Sequence, residues 1–176
     1  MLFLNAELEH KAHNVEVFRL LTPAEQAAGV RAPARQLLAN AGFEQLVERM
    51  PVAWRRDGSP RIDRTGSRGA GGQVAAAVTP NDGFLQIVPV RPGQSYILRH
   101  LARADGQSAR ALLMVRWLDA SSAVVDTSAD AVDVGPEWVP HEVTLTVPPG
   151  VVAAQVHATA QSGRVWVDDY ALRLAP

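Results

Sequence analysis

The side chains best equipped for chemistry in this chain are histidines, carboxylates and arginines set far apart. His10-Lys11-Ala12-His13 places two imidazoles three residues apart. Zinc needs at least one more protein ligand, and no third imidazole or thiolate accompanies the pair locally, so it reads as part of a solvated arm. His100, His141 and His157 fall in separate segments. A β-barrel can gather such residues around a metal, yet the paired His-x-His spacing of metal-dependent barrels is missing. Asp168-Asp169 interrupts an apolar run, and two adjacent carboxylates repel unless something positive lies between them. From Trp54 to Arg68 the chain carries five arginines against two aspartates. The ordinary reading of such a run is a solvated, partly paired surface, and the sharper one is an anion or glycan site.

These residues do not assemble into a catalytic signature. There is no Gly-x-Ser-x-Gly elbow, phosphate loop or dinucleotide fingerprint. Zero cysteines exclude thiolate zinc, a cysteine nucleophile and a disulfide scaffold. Glycoside hydrolysis needs two carboxylates facing each other across a cleft, which no linear spacing here dictates. The chain therefore reads as a non-enzyme. Seventeen basic against eighteen acidic residues give a net charge of −1, which removes the general electrostatic case for nucleic acid or an acidic membrane. No segment reaches the length of apolar residues needed to span a bilayer, so no direct membrane insertion is expected. Met1–Ala6 is too short and too uncharged for a secretory signal.

The elements that must position these residues are mostly strands. At 176 residues with 47% hydrophobic content, one globular domain with an appendage is expected. Five valines fall in residues 1–70 and seventeen in residues 71–176, so the second part is β-rich. Apolar or alternating runs occur at 73–78, 84–90, 95–103, 111–118, 141–147, 152–159 and 163–174. Between them lie turn makers such as Pro80-Asn81-Asp82-Gly83, Arg91-Pro92-Gly93 and Pro148-Pro149-Gly150. Strands at this spacing favour a sandwich or barrel. Alternation sets Ala154, Val156 and Ala158 inward and Gln155, His157 and Thr159 outward. Thr22-Pro23-Ala24-Glu25 is a capping-box helix start that runs only to about Ala28, before Gly29. The N-terminal region is thus a short, partly helical arm, and its apolar residues from Leu2 to Leu21 call for a surface to pack on.

Three segments carry a family resemblance. Leu37-Leu38-Ala39-Asn40-Ala41-Gly42-Phe43-Glu44 with Trp54, then Leu85 through Leu98 with its Arg91-Pro92-Gly93-Gln94-Ser95-Tyr96 centre, then Trp138–Val147, Pro149-Gly150 and Val165–Leu172 follow one another in order. Together they resemble the jelly-roll carbohydrate-binding modules that accompany xylanases and glucanases, within the galactose-binding-like superfamily. The resemblance implies an all-β jelly-roll sandwich over 37–176, with 1–36 as an arm or the remnant of a preceding domain. Leu37–Glu44 then looks like the opening strand, while Asn40-Ala41-Gly42 by its own residue types reads as a turn in which Gly42 can take a positive φ.

The resemblance also implies a function. It points to a non-catalytic accessory domain that holds an attached protein to a polysaccharide or cell-surface glycan, outside the cell or in its envelope. The alternative is an interaction or structural jelly roll of an envelope or membrane-associated protein, packed against other domains and without sugar binding. In the family a structural calcium ion commonly joins the opening glutamate to a closing aspartate, which makes Glu44 and either Asp168 or Asp169 its expected ligands; hard carboxylate and carbonyl oxygens suit calcium. Sugars stack on exposed aromatic rings, and the supply is four Trp, two Tyr and four Phe. Trp54, Trp138 and Tyr96 match packed positions. By elimination Trp166 and Tyr170 are the candidate sugar contacts, with Trp117 and Arg99 beside them. Arg99, Arg103 and Arg116 are expected to share one arginine-rich face, unless they pack on tryptophan.

Overall fold

A computed structural model describes residues 35–64 and 72–176. The capping-box helix, the apolar arm, His10, His13 and the end of the arginine-rich run lie outside the described residues. Twelve strands are present among those described: β1 (Leu46–Val47), β2 (Met50–Pro51), β3 (Arg55–Asp57), β4 (Arg61–Asp63), β5 (Ala75–Val78), β6 (Gly83–Pro89), β7 (Ser95–Ala104), β8 (Ala109–Leu118), β9 (Val124–Val134), β10 (Val139–Thr146), β11 (Ala153–Ser162) and β12 (Val165–Leu174). β1 and β2 form a small hairpin. The others form two five-stranded sheets, β10-β7-β12-β5-β4 and β3-β6-β11-β8-β9. Every pair is antiparallel. From β5 to β12 the chain changes sheet at each step except β8 to β9, which is the alternation of a jelly roll.

Period-two patterning builds the core between the sheets. β7 turns Tyr96, Leu98, His100, Ala102 and Ala104 inward, and β8 turns Ala111, Leu113, Val115 and Trp117 inward to meet them. Along β11 the inward residues are Ala154, Val156, Ala158 and Ala160, whose small side chains leave room for larger partners across the core. At one end Phe43 packs against Trp54, Phe84 and Tyr170, with ring centroids 4.9, 5.8 and 6.1 Å away. Such aromatic pairs add about 0.5–1.5 kcal/mol each beyond their area.

The turn residues act as their chemistry requires. Thr79 and Asp82 close the Pro80-Asn81 turn through Thr79 N–H to Asp82 O at 2.8 Å. Gly93 and Gly150 take φ of +75° and +78°.

Three features differ from the sequence reading. Leu37–Glu44 is a series of turns rather than an opening strand, and beside the Gln36–Arg173 bridge it meets the last strand through Leu37 N–H to Leu172 O at 2.9 Å and Tyr170 N–H to Ala41 O at 3.1 Å. Positive φ in this segment belongs to Asn40 and Phe43, at +48° and +59°, instead of Gly42. Asn40 tolerates it because its amide accepts from Gln45 N–H and donates to the carbonyls of Gln45 and Val52. Finally, β9 has no counterpart in the sequence reading, since Asp126, Asp130, Asp133 and exposed Val124 and Val125 obscure its period.

Candidate functional site

The face that carries a site is decided by which side chains leave the core. With Ala154, Val156 and Ala158 buried on β11, Gln155, His157 and Thr159 lie on the outside of the second sheet. Strand register extends this face sideways. Arg55 stands opposite Leu85, Leu85 opposite His157, His157 opposite Met114 and Met114 opposite Ala129, forming one row across all five strands. The next row runs Ile87, Gln155, Arg116, Thr127. A shallow recess of about 170 Å³ opens at one end between Ala53, Arg55, Leu85, Gln86 and Ile87.

The electrostatics of this face are specific. His157 is only 2% exposed although it is on the outer surface, flanked in register by Leu85 and Met114. Burial first, and then the Arg116 guanidinium, lower its pKa to about 4 against a partial counter-effect from Asp57. It is therefore neutral near pH 7, with Nε2 3.0 Å from Gln155 Oε1. Arg55 and Arg116 are exposed. Among the described residues neither forms an ion pair, whereas Arg110 and Arg164 do, with Asp133 and Asp105. Their guanidinium donors face solvent.

Most of the expected sugar contacts lie elsewhere. Tyr170, at 1% exposure, is a core residue whose hydroxyl is 2.8 Å from His100 Nδ1, which corrects its assignment to a binding face. Trp117 is corrected likewise: at 1% exposure it is inside the core, and its Nε1–H donates to Ser128 Oγ at 2.8 Å. Trp166 does point away from the core, as alternation with Val165 and Val167 requires. It is nonetheless 6% exposed, packed with Ala75, Ala77 and half-buried Trp138, and its Nε1–H donates to Asp105 at 2.7 Å. Arg103 lies over both indoles, 5.4 Å from Trp138 and 5.9 Å from Trp166, so cation–π packing describes it. Arg99 is exposed on the outside of the first sheet, opposite Glu142 and Ala171, and does not share a face with Arg116. Alternation along single strands gives Gln155 and His157 their outward positions and leaves Arg55 in a basic loop; only register between strands joins them.

Glu44, Asp168 and Asp169 lie in one neighbourhood around Gly42. β12 bulges between Asp168 and Ala171, and Asp169 adopts φ +49°. Asp168 Oδ1 and Asp169 Oδ1 are each 3.5 Å from the point a Cβ on Gly42 would occupy, and Glu44 Cγ is 3.9 Å from it. Glu44 Oε1 accepts from Gln73 N–H and Val74 N–H. Buried Asp168 accepts from Asp169 N–H. These are hard oxygens of the kind calcium prefers, although the Glu44 carboxylate is turned to the Gln73 and Val74 amides. Among the described residues no three acidic or histidine side chains form a ready ligand shell, so a cation there would also need backbone oxygens. His100 and His141 come together at 3.3 Å, while His157 is on the opposite side of the second sheet from them.

No family model and no curated protein matches the chain. Solved structures do. The family 22 xylan-binding domain from Paenibacillus barcinonensis superposes with a TM-score of 0.58 at 18% identity, over 82% of this chain and 97% of that one. TmCBM61 in complex with β-1,4-galactotriose gives 0.55 at 19% identity, over 81% and 100%. The fold is that of the jelly-roll carbohydrate-binding modules. The same module fold occurs in the enzymatically active domain of bacteriophage CBA120 tailspike protein 4, at a TM-score of 0.60 and 16% identity. There the match spans 80% of this chain but only 21% of the tailspike chain. The two modules are thus matched nearly end to end, and the tailspike over about a fifth of its length.

Proposed function

We propose that this chain is a non-catalytic carbohydrate-binding module that holds an attached protein to a polysaccharide, outside the cell or in its envelope. The observation that carries the reading is the outer face of the second sheet. Arg55, Gln155 and Arg116 there present donors and acceptors at fixed register, on a fold shared end to end with a xylan-binding domain and with a module holding galactotriose. A rigid sheet suits this task, because polar groups held in place bind with little loss of entropy. Raising the local concentration of substrate needs no chemistry from the module itself.

Calcium belongs to the same proposal. Glu44, Asp168 and Asp169, with backbone oxygens, would hold one ion that joins the opening turns to β12. Its role is stability, worth about 2.7 kcal/mol when the ion is present at 100 times its dissociation constant.

The test is retention of the purified chain on a panel of soluble and insoluble polysaccharides, repeated with Gln155→Ala and Arg116→Ala. Retention by a glycan class that both variants lose supports the reading. Indifference to every glycan would sink it in favour of an interaction module.

A further inference from the structure

We infer that the polysaccharide bound on the outer face of the second sheet carries carboxylates, that is, uronic-acid units; this rests on the proposed function and names its ligand class. Neutral sugars are held chiefly by stacking on aromatic rings. All eight described aromatic residues are accounted for elsewhere. Phe43, Trp54, Phe84, Tyr96, Trp117 and Tyr170 are in the core, and Trp138 and Trp166 pack outside the first sheet. Among the described residues the candidate face has no aromatic platform for a neutral ring.

What the face offers in their place is arginine charge with no ion-pair partner among the described residues. Arg55 on β3 and Arg116 on β8 are exposed and without an ion-pair partner. Three strand intervals and one row separate them, about 15 Å at ordinary sheet spacing. That distance matches a ligand with repeated anionic groups better than a single small anion. Arginine's planar fork meets a carboxylate through two parallel hydrogen bonds, a geometry a hydroxyl cannot reproduce. Between the two cations, the Gln155 amide supplies the hydrogen-bonding needed for ring hydroxyls. Leu85 and Met114 form the apolar floor with neutral His157. Asp57, at the end of β3 beside Arg55, is the one carboxylate close enough to act on His157, and it bounds the positive stretch on that side. Whole-chain charge is −1, so a duplex or other dense polyanion would meet two local cations against a neutral remainder.

The experiment compares polygalacturonate with the same polymer fully methyl-esterified, by affinity electrophoresis and calorimetry, using the full chain and the variants Arg55→Gln, Arg116→Gln and the double. Expected is binding to polygalacturonate that weakens with added salt, is lost on esterification, and falls about tenfold in each single variant. Melting temperatures of these exposed-site variants should match the parent, which separates lost contacts from lost folding. Equal binding of the esterified polymer, or of xylan or galactan, would overturn the carboxylate assignment while leaving the carbohydrate-binding reading standing. Equal retention of dextran sulfate would overturn it in favour of unspecific ion exchange. Undiminished binding in the double variant would remove the site from this face, and no binding to any polymer would remove the underlying reading too.

Discussion

His100 Nε2 lies 3.3 Å from His141 Nδ1, between the two sheets. The pair continues at both ends, with His100 Nδ1 2.8 Å from the Tyr170 hydroxyl and His141 Nε2 2.8 Å from Asp130 Oδ2. Because a carboxylate only accepts, His141 Nε2–H donates to it. With His141 in its neutral form, its Nδ1 accepts from His100 Nε2–H, and His100 Nδ1 accepts from the phenol. The result is a directed chain of hydrogen bonds from the core to the half-exposed Asp130. It predicts that both imidazoles are Nε2–H tautomers at neutral pH. Nitrogen-15 shifts of the two rings check this, and an Nδ1–H tautomer on either would contradict it.

Burial and the neighbouring His141 push His100 down to about 3, and His157 lies near 4. Both folded values are below the unfolded value of about 6.5. The stability these neutral rings contribute is therefore complete above pH 6.5 and is lost as pH falls, because the unfolded state takes up protons first. For His100 the loss by pH 4 is on the order of 3 kcal/mol. Melting temperature should fall steadily from pH 7 to pH 4, and His157→Gln should flatten the part of the slope between 6.5 and 4. A melt independent of pH across this range would refute the assignment of neutral buried rings.

Removing the phenol tests the core role of Tyr170. Tyr170→Phe keeps the aromatic packing on Phe43 and Trp54 but leaves His100 Nδ1 without its donor. An unsatisfied buried acceptor costs about 1–3 kcal/mol. Denaturant unfolding should show that loss while glycan retention is unchanged.

Trp166→Ala and Arg116→Ala should have opposite effects. Trp166 packs under Arg103 and beside Trp138, outside the first sheet. Truncating it should cost about 3 kcal/mol of stability and leave glycan binding as it was. Arg116→Ala should weaken binding and leave the melt in place. A Trp166 variant that folds normally and loses binding would return the site to the first sheet.

A chelator should lower the melting temperature, and calcium should restore it, if Glu44, Asp168 and Asp169 hold an ion at the seam beside Gly42. Glu44→Gln with Asp169→Asn should abolish the chelator effect. An unchanged melt in the parent protein removes calcium from the account.

Which side chains leave the core was legible in the sequence, because in and out alternate with a period of two along a single strand. Ala154, Val156 and Ala158 point in, Gln155 and His157 point out, and Trp166 opposes Val165 and Val167. The turns at Pro80-Asn81, Arg91-Pro92-Gly93 and Pro148-Pro149-Gly150 were legible for the same local reason, since φ preferences belong to individual residues. β9 was not, because an edge strand exposed along much of its length has little need of the apolar alternation that reveals a strand. Nor was the company each outward residue keeps. Arg99 and Arg116 both face outward, yet strand order puts them on different sheets, while register brings Arg55 into one row with His157 from about a hundred residues away. Pointing out is also not the same as being exposed. Ala75, Ala77 and Trp138 pack against Trp166, and Leu85 and Met114 flank His157. Facing is a property of one strand, whereas cover and partnership belong to neighbours that only the folded sheets bring together.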